Sequence, residues 1–120
     1  MMYFNRLLLV LLCFTLWSCS NDDDNTTTDN NILIGKWLRS DYDNTYEHSI
    51  HFEDNDFGYT ADKHTTAEGI VSTAISFDWS VSNNKITLIF DSHTIISNYS
   101  FTENGNLIIN DLSTLEFIKQ

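Results

Sequence analysis

From Leu33 to the C-terminus, apolar and polar side chains alternate with period two, and Asp, Asn, Ser and Gly interrupt the alternation at short intervals. That pattern belongs to strands with one face in a core and the other in water. Proline is absent, so no residue lacks the N–H a ladder needs. The spacing predicts strands over Leu33–Ser40, Thr45–Glu53, Phe57–Lys63, Gly69–Ser82, Lys85–Asp91, Thr94–Glu103, Asn106–Asn110 and Thr114–Lys119. Breaks fall at 41–44, 54–56, 64–68, 83–84, 92–93, 104–105 and 111–113. Asn83-Asn84 and Asn104-Gly105 suit tight hairpins, because these residues tolerate positive φ. The expected fold is all-β: a small antiparallel up-and-down barrel of about eight strands, closed because closure removes exposed edges.

Parity names one face of the sheet. It runs through Trp37, then Tyr46, Ile50 and Phe52, then Phe57 and Tyr59, then Val71, Ile75, Phe77, Trp79 and Val81. Ile86, Leu88, Phe90, Ile95, Tyr99, Phe101, Leu107, Ile109, Leu115 and Phe117 continue it, enough for one core. The opposite face of the fourth strand reads Ser72, Ala74, Ser76, Asp78, Ser80, as water on that side requires. On the same outward parity of the last strands fall Ile89, Ile96, Ile108 and Ile118. Side by side they would form an apolar patch for a protein partner or a second copy, unless Ile32, Leu33 or a loop folds over them.

The N-terminus follows a different pattern. One cation, Arg6, precedes an apolar run from Leu7 to Trp17, the layout of a signal peptide. The run is about half the roughly 20 residues a spanning helix needs. It ends in Leu16-Trp17-Ser18-Cys19, which resembles the lipobox of bacterial lipoproteins. The resemblance implies removal of residues 1–18 and lipidation of Cys19, with two or more acyl chains making a stable anchor. An ordinary secretory peptide beside a chance cysteine is the alternative. Residues 20–31 carry no apolar side chain, and so read as a flexible acidic tether (19–31 with the lipidated cysteine) before a domain over 32–120. This acidic run resembles the surface-export signal of lipoproteins in the Bacteroidota, implying an outer-membrane, cell-surface location; a spacer facing the periplasm is the other reading. Cys13 lies within the leader, leaving the domain without a disulfide.

The net charge of −11 argues against two partner classes. Nucleic acid calls for clustered cations, and the lysines here are scattered. A peripheral grip on anionic headgroups is disfavoured for the same reason, so membrane contact is expected through the lipid on Cys19.

The domain also resembles the small lipocalin-like domains of Bacteroidota lipoproteins. The match is carried by Ile34-Gly35-Lys36-Trp37, Phe77-Asp78-Trp79-Ser80-Val81 leading to Lys85-Ile86-Thr87-Leu88, Tyr99-Ser100-Phe101, and Phe117-Ile118-Lys119. In that family the glycine lets the chain bend close to the barrel floor and the tryptophan plugs the closed end. The resemblance implies a small apolar ligand, for which Trp37, Tyr59, Phe77, Trp79, Phe90 and Tyr99 are the candidate lining. A barrel this short can instead be filled by its own aromatics.

Candidate chemistry is sparse. His48 and His51 point to opposite faces, and His64 and His93 lie apart from them, so no metal pair is expected. Asp41-x-Asp43-x-Thr45-x-Glu47 and Glu53-Asp54-Asn55-Asp56 supply oxygens that calcium could use, but neither has the pattern of an EF-hand loop. No serine sits in a nucleophile elbow. The expectation is a protein that is not an enzyme, with no catalytic residue, metal or cofactor.

Overall fold

The structure, a computed structural model, describes residues 32–120. The expected signal peptide, Cys19 and the tether lie outside the described residues. Eight strands form: β1 (Gly35–Arg39), β2 (Tyr46–Phe52), β3 (Phe57–Thr66), β4 (Gly69–Ser82), β5 (Lys85–Ile89), β6 (Thr94–Phe101), β7 (Leu107–Ile109) and β8 (Phe117–Lys119). Each pairs antiparallel with the next, and β8 returns to β1 through Leu38↔Ile118, closing the barrel. The expected all-β, up-and-down barrel is the fold observed.

Turn chemistry explains the connections. Asn83 and Asn84 both adopt positive φ, 54° and 63°, the pair of left-handed residues that a two-residue turn needs to match strand twist. At the floor, Gly35 has φ 129°, a backbone conformation that strains any residue with a Cβ, whereas the nearest atom to such a Cβ, the Lys119 ammonium at 2.9 Å, ends a flexible side chain that could move aside. The bend turns Leu33 back under the barrel, fully buried, where its carbonyl accepts the Trp37 indole N–H at 2.8 Å. Lys119 lies 4.7 Å over the Trp37 ring and donates to the Ile32 and Ile34 carbonyls, joining the first and last strands. Burial lowers its pKa.

The core holds Leu33, Trp37, Ile50, Phe52, Phe77, Trp79, Ile86, Leu88, Phe90, Leu107, Ile109 and Phe117. Most of the inward parity set is therefore observed inside. The third strand is a correction: Phe57 is exposed and Tyr59 half-buried, while Gly58 and Thr60 face the interior. Register dictates this, since Phe52 pairs with Gly58 and Ile50 with Thr60. The inward position is a glycine because the Phe77 ring occupies the space a side chain would take. Alternation alone pointed to the two outward aromatics.

Val71 and Ile75 are a second correction. They share the face of Phe77 and Trp79, yet are 58% and 59% exposed. β4 pairs with β3 along Gly69–Asp78 but with β5 only along Asp78–Ser82, so its first half overhangs the barrel. β3 accordingly runs on to Thr66, past the expected end at Lys63. Phe101 and Leu115, also expected inside, are 38% and 39% exposed. Leu115 lies in the connection before β8, which begins at Phe117 rather than Thr114.

Candidate functional site

The candidate lining divides into packed core and surface. Phe52 stands 5.0 Å from Trp79 and 5.7 Å from Phe77, and Phe77 stands 5.3 Å from Phe90, by ring centroids. These are edge-on and tilted contacts of the kind that fill aromatic cores. Both buried indoles are satisfied by backbone: Trp37 by Leu33, and Trp79 by the carbonyls of Glu53 and Phe57 at 3.2 and 3.1 Å. Tyr99 is half-buried, edge-on to Phe101 at 6.1 Å. Tyr59 lies outside the barrel, stacked at 4.2 Å on His51, and cannot line an interior site. Burial lowers the His51 pKa, helped by the nearby Lys36 charge.

The outward isoleucines divide into two pairs. Ile96 pairs with Thr87, placing it diagonal to Ile89, and these two are 60% and 48% exposed. Ile108 and Ile118 are half-buried, and Ile118 pairs with the buried Leu38. Ile108 faces Ser100, and the exposed Asn98 and Ser100 separate it from Ile96 along β6. Register therefore leaves Ile89 with Ile96 as the exposed apolar pair, not one continuous face.

One cluster went unrecognised in the sequence. Where β1 ends and β2 begins, the inward positions past the aromatic core are polar. Arg39 Nε and Nη2 donate to Asp41 Oδ1 and Oδ2 at 2.8 and 3.0 Å, and Nη2 also donates to the Tyr46 hydroxyl at 3.0 Å. That hydroxyl donates to Asp62 Oδ1 at 3.1 Å, and His48 Nδ1 lies 2.7 Å from the same oxygen. The Tyr46 ring rests 4.9 Å from His64. The signal was available: Arg39 is in phase with Trp37, and Tyr46 and His48 with Ile50 and Phe52. Asp62 became visible only once the register of β3 was known.

The charges of this rim respond to one another. The Arg39 pKa is raised and the Asp41 pKa lowered, chiefly by their mutual hydrogen bond. Burial and the hydrogen bond to Asp62 push Tyr46 up. For Asp62, burial works against the charge, but hydrogen bonds from His48 and Tyr46, with attraction from His48 and His64, outweigh it and lower the pKa. A carboxylate depressed on folding stabilises in full above its unfolded pKa, about 3.9, and ceases to as pH falls through the lower folded value. Asp62→Asn is accordingly expected to lower the neutral-pH denaturation midpoint, with the deficit disappearing in acid. A deficit that persists unchanged at low pH would mean the carboxylate charge is not what holds the rim.

Chemically, a histidine bonded to a carboxylate can move a proton. Here the hydrogen bonds close on one another, linking β1, β2 and β3. Asp43, once a possible calcium ligand, accepts from the backbone N–H and hydroxyl of Thr45 and from Tyr46 N–H, capping the turn into β2. Among the described residues no three His, Cys, Asp or Glu side chains converge to hold a metal ion. A polar groove of about 240 Å³ lies beside this turn, lined by Asp43, Asn44, Tyr46, Glu47, Lys63 and Thr65, and the Lys63–Glu47 ion pair crosses its edge at 3.3 Å. No family model, curated protein or solved structure matches the chain.

Proposed function

We propose that this chain is a lipid-anchored surface protein whose barrel is a packed, non-catalytic support for interactions made on its outside. The single observation that carries the reading is the interior packing: Phe52, Phe77, Trp79 and Phe90 are buried against one another, and the indole N–H groups of Trp37 and Trp79 are already bonded to backbone. An apolar cargo of the kind lipocalins carry would have to displace these contacts. The anchor rests on the lipobox-like Leu16-Trp17-Ser18-Cys19 and the acidic run behind it, and the surface location on that run's resemblance to an export signal.

Native mass spectrometry of the protein after exposure to a bacterial envelope extract tests the packed interior. The bare protein mass is expected. A retained small apolar molecule would overturn the reading in favour of a ligand-carrying barrel. In the same host, the unaltered chain is expected to take up labelled fatty acid and sediment with membranes, and Cys19→Ser to do neither. Equal labelling of the variant would remove the anchor.

A further inference from the structure

The overhanging half of β4 is an open sheet edge. Gly69 to Ser76 are all exposed, and among the described residues the only ladder along Gly69–Phe77 is with β3. Natural edges are usually blunted by charge, proline or a bulge. This one has none: Gly69-Ile70-Val71-Ser72-Thr73-Ala74-Ile75-Ser76-Phe77 holds no charged residue and no proline, and its register with β3 is unbroken.

The hydrogen-bond phase says which groups are open. Trp79 N–H donates to Asp56 O, while on β3 the Thr65 N–H donates to Thr45 of the preceding strand side. Odd-numbered residues of β4 therefore turn their backbone groups toward β3. Ile70, Ser72, Ala74 and Ser76 turn theirs to the open side.

We infer that this edge pairs with the same edge of a second copy, antiparallel about a twofold axis at Thr73. The segment is self-complementary in that register. Val71 falls opposite the partner's Ile75, Ile75 opposite the partner's Val71, and Thr73 opposite the partner's Thr73. On the other face Ser72 meets the partner's Ala74, and Ile70 meets the partner's Ser76. Phase agrees with pattern: the open backbone groups of Ser72 and Ala74, and of Ile70 and Ser76, meet as hydrogen-bonded pairs. The β-branched Val71, Thr73 and Ile75 occupy the intervening pairs, where side chains approach most closely. An isologous contact of this kind closes on itself, so it yields a dimer and not a fibre. The overlap ends where it must, since from Asp78 onward β5 holds the site.

The test uses the chain from residue 20, which keeps every strand of the closed barrel and lacks both cysteines. Sedimentation velocity should show a monomer–dimer equilibrium that tightens with added salt, because copies that have lost Arg6 carry five basic against 17 acidic residues, a net charge of −12, and repel. Ala74→Pro removes an N–H that faces the open side and leaves the β3 ladder alone. It is expected to weaken dimerisation by about tenfold or more, with the circular dichroism unchanged. Register is read by single cysteines: Thr73→Cys should cross-link to its twofold mate on mild oxidation. Ser72→Cys, whose mate is displaced by two residues, should link poorly. A monomer at every concentration up to submillimolar, a dimer that Ala74→Pro leaves intact, or equal cross-linking of the two cysteine variants would each overturn the inference.

Discussion

Gly58→Ala is expected to destabilise the barrel by about 3 kcal/mol, the upper end of what overpacking a core costs. Alanine for glycine in a strand ordinarily stabilises by about 0.5–1 kcal/mol, so the sign itself is the test. Gly58 faces inward from β3, and a Cβ built there would lie 2.5 Å from the His51 carbonyl oxygen and 2.6 Å from the Phe77 ring. The carbonyl belongs to the paired strand and cannot move aside alone; the ring is held by Phe52 and Phe90. Denaturant titration of the two proteins decides it. An alanine variant as stable as the parent would mean that Phe77 is free to shift and that the interior is looser than described.

Trp79→Ala is expected to remove about 4 kcal/mol, within the range for deleting a large buried aromatic. Its side chain is 3% exposed, packs on Phe52, and ties two turn carbonyls to the core. A single domain holds only about 5–15 kcal/mol in all, so this variant would sit close to unfolding. Trp79→Phe separates the two contributions. It keeps an aromatic ring in place but removes the indole donor to the Glu53 and Phe57 carbonyls, a loss of about 1 kcal/mol, because the Phe57 carbonyl still accepts the Glu53 N–H. Tyr59→Ala provides the contrast, because Tyr59 stacks on His51 outside the barrel; its effect should stay within about 1 kcal/mol. If Tyr59→Ala proves as damaging as Trp79→Ala, the assignment of faces on β3 is wrong.

The Asn83-Asn84 turn was legible because it rests on local chemistry, two residues that tolerate the left-handed conformation, whereas the bend at Gly35 was expected only from the family resemblance. The second half of the fourth strand was equally plain, since Phe77, Trp79 and Val81 alternate there with Asp78 and Ser80, but the same alternation misplaced Val71 and Ile75 in its overhanging first half. β3 was misread for a specific reason. Its inward residues are Gly58, Thr60, Asp62 and His64, and its outward ones include Phe57 and Tyr59, so polarity is inverted along that strand. The glycine yields its volume to Phe77, and the acid and histidine belong to the polar rim. With the parity of β3 reversed, the rim containing Arg39, Tyr46, His48 and Asp62 was hidden, and Tyr59 was placed among lining residues it does not join.

Strand identity, hairpin positions, closure and most of the core follow from the chain alone, because periodicity and turn propensity are properties of neighbours in sequence. The lipobox-like segment and acidic tether are likewise a reading of sequence only. What the tertiary structure decided is relative register. It set which face of β3 looks inward, divided the outward isoleucines into two pairs, and left half of β4 beyond the reach of β5. Register depends on where strands far apart in the chain stop pairing, and a shift of one residue exchanges the faces of a strand, so alternation within a single strand cannot specify it.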